Sequence, residues 1–246
     1  MLQYFFTYGT DLPPDVGFPM FGAAHICCLI GCSLLAAAII ACYKKSTAGC
    51  RRKLDKAAAW FLIFLMAFRY IYLAIAGALS VYELPLHLCS MAGFLCLLHA
   101  YKDWDWLGQV LYALCLPGTV AALVFPDWTY YPPVHCITIE GFLFHFGVAV
   151  YVIFQLFSRR IRPQKRGTAK VMLFLLILVP PIYIFDKHYH TNYFFVNVPS
   201  PGSPLELFAK LFDVPGYLAA YAALVLIIVF LFEAVGEKAL RRDAGY

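Results

Sequence analysis

Charge is scarce in this chain. Only 13% of its 246 residues are Asp, Glu, Lys or Arg, while 63% are hydrophobic and the mean hydropathy is +0.74. A soluble domain has about 25% charged residues, so a water-soluble enzyme domain is excluded. No nucleic-acid partner is expected either, because the net charge of +5 is carried by short basic runs between apolar segments. The marks of most enzyme chemistries are also missing: there is no GxSxG elbow, HExxH pair, GxxxxGK[ST] phosphate loop or GxGxxG turn. Nine cysteines occur without a CxxC or a Cys/His set at zinc spacing. Hence no metal, no cofactor and no disulfide framework are expected. The last apolar run contains no lysine, which argues against a retinal Schiff base. The first twenty residues have no basic n-region and are broken by Pro13 and Pro14, so the first spanning helix is expected to act as its own insertion signal.

What the chain does have is long apolar runs. A bilayer-spanning helix needs about 20 apolar residues. Seven segments qualify: Phe21–Tyr43, Ala57–Leu79, Leu84–Tyr101, Trp106–Phe125, Ile137–Phe157, Ala169–Phe185 and Val214–Val235. The third and sixth are short. The runs are continuous rather than alternating, and an open sheet cannot satisfy its edges in lipid. The fold class read from this pattern is all-α, a polytopic membrane protein with one seven-helix transmembrane domain over residues 1–246. Of the nineteen basic residues, sixteen fall in the first, third and fifth connections and after the last helix. That asymmetry places the N-terminus outside and the C-terminus inside.

Prolines punctuate the runs. Pro117-Gly118 predicts a kink in the fourth helix, and Pro180-Pro181 a break near the outer end of the sixth. The longest connection, 186–213, is rich in aromatics, which predicts a folded cap at the membrane interface.

Ionisable residues inside a membrane are functional candidates. His25, Arg69, Cys89, Glu140 and His145 all fall in the outer halves of their helices, where they predict one polar cluster. The inner halves hold few comparable groups, mainly Gln109, Gln155 and His99. Thiol and imidazole are the parts of a covalent acyl-transfer site, with Cys89 as nucleophile and His145 as base. The bland alternatives stand beside that reading. Cys89, Gly93 and Cys96 form a small-residue stripe that lets helices pack closely, and His145 is equally suited to an interhelical hydrogen bond. His87, two residues from Cys89, points to the opposite face of a helix and is the poorer partner. Arg69 suits an ion pair with Glu140 or contact with an anionic ligand. His25 is a site member or an interfacial histidine; Asn192 and Tyr193 are lids over the site or interfacial anchors. A non-enzymatic binder or transporter of a small polar or lipid solute uses the same cluster, with Arg69, Glu140 and His25 mattering more than Cys89. A bundle in which the cluster is only interhelical glue is the third option. Oligomeric state is not readable.

Several blocks carry a resemblance: FGAAHICCLI, LPLHLCSMAGF, LPGTVAALVFPDW, EGFLFHFGVAVY, HTNYFFVNVPSPGSPLELF and VPGYLAAYAAL, in that order from Phe18 to Phe232. The chain resembles the bacterial YwaF-type family of integral membrane proteins, relatives of transmembrane protein 164. The resemblance implies a cysteine-dependent phospholipid acyltransferase with membrane phospholipids as partners, and a bacterial cytoplasmic membrane as its location. Cys89 and His145 occupy the positions of the family's cysteine and histidine. His25, Arg69, His87, Glu140, Asn192 and Tyr193 are the candidates for contact with substrate.

Overall fold

The computed structural model describes residues 2–199, 203, 205–213 and 216–243. They form helices α1 (Ala23–Lys45), α2 (Ala48–Ile75), α3 (Leu88–Lys102), α4 (Asp105–Val110), α5 (Leu116–Val124), α6 (Cys136–Phe157), α7 (Gly167–Tyr189), α8 (Leu205–Leu211) and α9 (Gly216–Asp243). No strand occurs among the described residues. Residues 214 and 215, where the sequence begins its last span, fall outside them.

Six helices are long and apolar enough to cross a membrane: α1, α2, the continuous stretch Asp105–Val124, α6, α7 and α9. The third predicted span is shorter than its sequence. Leu84–His87 is extended or turned, and the helix starts only at Leu88, giving 15 residues. At 1.5 Å per residue that is about 22 Å, short of the roughly 30 Å hydrocarbon layer.

Helix α6 is the axis of the bundle. Its most apolar window is 72% buried, against 6% for α1 and 11% for α7 and α9. Helices α1, α2, α3 and α5 pack around it. Small residues permit the approach: a Cβ on Gly147 would stand 2.8 Å from Leu62, and one on Gly93 would stand 2.7 Å from the Met66 sulfur. Helices α7 and α9 pack against the α4 end and each other, with their remaining apolar faces left outward.

The prolines behave differently from the expectation. Ahead of Pro117 the chain opens into a π-helical turn, Leu111–Cys115, in which Leu116 N–H bonds the Leu111 carbonyl. Pro117 has no N–H for the carbonyl four residues earlier and would clash with it. The wider turn relieves the clash without ending the helix. Pro180 and Pro181 do not break α7, which runs on to Tyr189. Membrane helices absorb such prolines by local adjustment of the freed backbone groups.

The end of the bundle carrying the basic connections holds more buried polar chemistry than the sequence suggested. Asp55, 1% exposed, accepts from Tyr43 hydroxyl (2.9 Å), Gln155 Nε2 (3.0 Å) and Arg160 Nη1 (2.8 Å). Arg160 also pairs with Asp103 and donates to the His99 carbonyl (3.1 Å). Asp103, in the turn after α3, also pairs with Arg52 (3.0 Å). Partial burial raises its pKa, but the two guanidiniums outweigh that and hold its carboxyl below the usual range. Helices α1, α2 and α6 and the α3–α4 and α6–α7 connections are thereby tied through two carboxylates. A second network docks α9, where buried Glu233 accepts from the Gln164 backbone amide (2.8 Å).

Candidate functional site

At the opposite end of the bundle, α3 begins beside α5, α6 and the cap loop. Cys89 is the second residue of α3. The Leu88, Cys89 and Ser90 amides precede the first helical bond, from Met91 N–H to the His87 carbonyl (3.0 Å). His87 occupies the N-cap and makes no side-chain capping bond. The sulfur therefore sits at an uncapped helix start, with the Ser90 amide and hydroxyl beside it. Unsatisfied first-turn amides stabilise negative charge.

His145 lies on α6, one helical turn beyond Gly141. Its Nδ1 contacts the Gly141 carbonyl at 2.7 Å. A carbonyl only accepts, so Nδ1 carries the proton and Nε2 presents a lone pair. That Nε2 is buried and has no partner among the described residues. The ring is clamped by Trp128, stacked on it at 5.0 Å and 22°. Trp128 in turn rests on Gly141, where a Cβ would stand 3.0 Å from the indole. The indole Nε1–H is also buried without a partner, as is the Thr119 hydroxyl on α5. In the stacked Trp128–His145 pair an unspent donor and an unspent acceptor thus occur together in a low-dielectric region.

Arg69 lies six residues from the end of α2, nearer the surface than the longer predicted helix implied. It pairs with Glu83 (3.2 Å) and with Glu140 (3.6 Å) on α6. Glu83 belongs to the turn before α3, and its carbonyl accepts from the Tyr70 hydroxyl (2.8 Å). Asp127, just before Trp128, lies within electrostatic reach of Arg69, His87, Cys89 and His145.

The remaining predicted residues fall into two groups. His87, Asn192 and Tyr193 belong to the cap over α3. The His87 ring packs on Tyr193 (4.9 Å) and Phe195 (5.4 Å), and the Tyr193 hydroxyl donates to the Val81 carbonyl (2.6 Å). Asn192 shapes the loop: its Oδ1 accepts from the Asn197 (3.1 Å) and Val198 (3.0 Å) amides, and its Nδ2 donates to the Val198 carbonyl (2.9 Å). Within it Phe194 and Phe195 both have φ 55°, a left-handed backbone that non-glycine residues adopt only when held there. His25 stands apart: its Nδ1 accepts from Phe21 N–H (3.0 Å), so Nε2 is the donor to the Leu123 carbonyl (2.9 Å). Both ring nitrogens are taken by backbone, tying α1 to the end of α5.

Asp127, Trp128, Glu83 and Gly141 belong to this region and escaped the reading of polar residues along helices. Three lie in connections, and Gly141 reads as apolar. The Phe125-Pro126-Asp127-Trp128 run was the available signal, since a carboxylate between a helix stop and a tryptophan at the membrane interface is an unusual pairing.

Six apolar spanning helices with a buried polar cluster at one end define a multi-pass integral membrane protein. Within that class the chain belongs to the TMEM164 family, whose sequence model matches residues 20–233. No curated protein and no solved structure matches it.

Proposed function

We propose that this protein is a membrane-embedded phospholipid acyltransferase or lipid hydrolase in which Cys89 is the nucleophile and His145 the base. The observation that carries the reading is the buried His145 Nε2, deprotonated because Nδ1–H is committed to Gly141 and otherwise unemployed. His25, by contrast, has both ring nitrogens bonded to backbone, and His99, whose Nε2 is also unpartnered, lies at the opposite end of the bundle from Cys89.

His145 Nε2 takes the Cys89 thiol proton as sulfur adds to an ester carbonyl carbon of a phospholipid. The negative charge on the carbonyl oxygen is met by the first-turn amides of α3 and the Trp128 indole N–H. The carbon–oxygen bond to the glycerol breaks, and the leaving oxygen takes the proton from the imidazolium. A second lipid hydroxyl, or water, then attacks the thioester with His145 again as base, restoring the thiol. Gly141 and Trp128 orient the imidazole, and Asp127 adds a negative charge felt by both groups. Arg69, balanced between Glu83 and Glu140, contacts the head group, and His87, Asn192 and Tyr193 close over it. His25 positions α1 against α5.

In the same reading α3 completes a seven-helix bundle forming one domain. Its basic end faces the cytoplasm, which leaves the N-terminus and the Cys89 site outside. The membrane is a bacterial cytoplasmic membrane, and phospholipids are both substrate and solvent.

The test is intact mass after incubation of the purified protein with mixed phospholipids, with Cys89→Ala and His145→Gln alongside. A hydroxylamine-labile adduct of fatty-acyl mass is expected in the wild type, absent from Cys89→Ala and strongly slowed in His145→Gln. Lack of any adduct in folded wild-type protein, with a tightly held small molecule instead, replaces this reading with a binding or transport protein.

A further inference from the structure

Beyond the Cys89 region, the end of α7 and the loop after it line an open cavity of about 280 Å³. Its floor is acidic. Asp186 is fully buried, and its Oδ1 accepts from the Thr191 hydroxyl (2.5 Å) and the Tyr193 amide (3.1 Å). Its Oδ2 has no partner among the described residues. Asn197 lines the same cavity. Its Nδ2 donates to the Thr191 carbonyl (2.9 Å), which fixes the amide orientation, and its Oδ1 is likewise buried and unpartnered.

Two acceptors, one on a buried carboxylate, belong to residues that line this space and have no partner among the described residues. Leaving such groups unmet is costly, the more so for a charge. The Lys187 ammonium sits 5.2 Å above the Tyr183 ring and forms no ion pair with Asp186, and Lys187 and His190 form the exposed rim. The loop is held in place by the three Asn192 bonds described above, so the two oxygens are preorganised.

We propose that this cavity binds a primary ammonium group, with Asp186 Oδ2 and Asn197 Oδ1 as its acceptors. The size and donor set select that chemistry. A water's share of liquid is about 30 Å³, so the space suits a group of several heavy atoms rather than a bare ion. A hard divalent cation such as calcium takes six to eight oxygen ligands, and among the described residues lining this space two side-chain oxygens are unpartnered. An ammonium needs few acceptors and gains most from a charged one. The group comes either from a free amine or from a phospholipid head group ending in an aminoethyl moiety. Cys89 plays no part, so this site and the acyl-transfer reading fail independently.

The experiment is thermal unfolding of the full chain in detergent with ethanolamine hydrochloride, against potassium and calcium chloride at matched ionic strength. A parallel arm uses nanodiscs with and without an aminoethyl phospholipid. Saturable stabilisation by ethanolamine, by the aminoethyl lipid or by both supports the site and identifies the source. Asp186→Asn keeps an Oδ1 for Thr191 and Tyr193 yet removes the charge, and is expected to weaken the response roughly tenfold or more, the scale of one charge-assisted hydrogen bond. Asn197→Leu leaves Asp186 in place, covers the case in which Asp186→Asn does not fold, and is expected to weaken it too. Equal stabilisation by potassium or calcium, an undiminished response in both variants, or no response in either arm overturns the proposal.

Discussion

Replacing Asp55 by Leu removes the hub of the basic end. Three donors lose their acceptor at once: Tyr43 hydroxyl, Gln155 Nε2 and Arg160 Nη1. Tyr43 is compensated, because its hydroxyl also meets Ser158 at 2.5 Å. Arg160 keeps Asp103, and its side chain is 14% exposed, so its loss falls near the bottom of the roughly 3–5 kcal/mol range for breaking a buried pair. Gln155, fully buried and with Oε1 already unpartnered, adds about 1 kcal/mol or more for a stranded amide. The expected loss is on the order of 4 kcal/mol, measured by reversible SDS-driven unfolding of the purified protein. The double variant Asp55→Leu/Arg160→Leu is expected to recover a large part, since the stranded guanidinium goes too. A single-variant loss under about 1 kcal/mol, or a double variant worse than the sum of its parts, refutes the account of Asp55 as a charge held only by its partners.

Gly141→Ala drives a Cβ to 3.0 Å from the Trp128 indole. Despite a helix-propensity gain of about 1 kcal/mol, it is expected to shift tryptophan fluorescence and to slow acyl-enzyme formation, and an unchanged spectrum with full rate counts against the clamp. Gly167→Ala places its Cβ 2.5 Å from Glu233 Oε1 and 2.7 Å from Gln109 Oε1. A destabilisation of about 1–3 kcal/mol is expected, and an unaltered melting temperature contradicts the packing of α7 on α9. His135 accepts from Ile137 N–H (3.1 Å) and donates to the Thr7 carbonyl (2.9 Å). Burial lowers its pKa more than the Thr7 carbonyl raises it, so it folds neutral. Its contribution is present above the unfolded value near 6.5 and is lost as pH falls towards the lowered folded value. The wild type is therefore expected to lose stability from pH 7 to 5 more steeply than His135→Gln, and parallel stability–pH curves exclude the effect.

The helical class and the ends of most helices were legible because hydrocarbon imposes a single requirement, internal satisfaction of every backbone group, that a run of apolar residues meets in one way. Where a helix began under a polar residue the pattern was blind. His87 and Leu84–Leu86 read as part of an apolar run, but the chain there is extended and α3 starts four residues late. Pro117 was readable as a disturbance, yet its form, a π turn placed before it, depends on room beside α6 and α9 that one segment does not reveal. Asp55 was hidden among Arg51, Arg52, Lys53 and Lys56, and looked like a solvated loop acid. Its partners, Gln155 and Arg160, lie a hundred residues away in the chain. The ionisable members of the candidate site were visible because charge is rare in these helices. The Trp128 clamp was not, since an indole in a membrane protein signals an interface as readily as a wedge.

The length of α3 sets a depth. With Asp103 anchored between Arg52 and Arg160 at one surface, about 22 Å of helix stops about 8 Å short of the far edge of a roughly 30 Å layer. Open first-turn amides at that level would be intolerable against lipid tails. The His87–Tyr193–Phe195 ring cluster is then a plug as well as an ornament of the surface, shielding a helix start sunk below the head groups from the hydrocarbon around it. Loosening the plug exposes those amides, so the loop and the helix beneath it should order and melt as one unit.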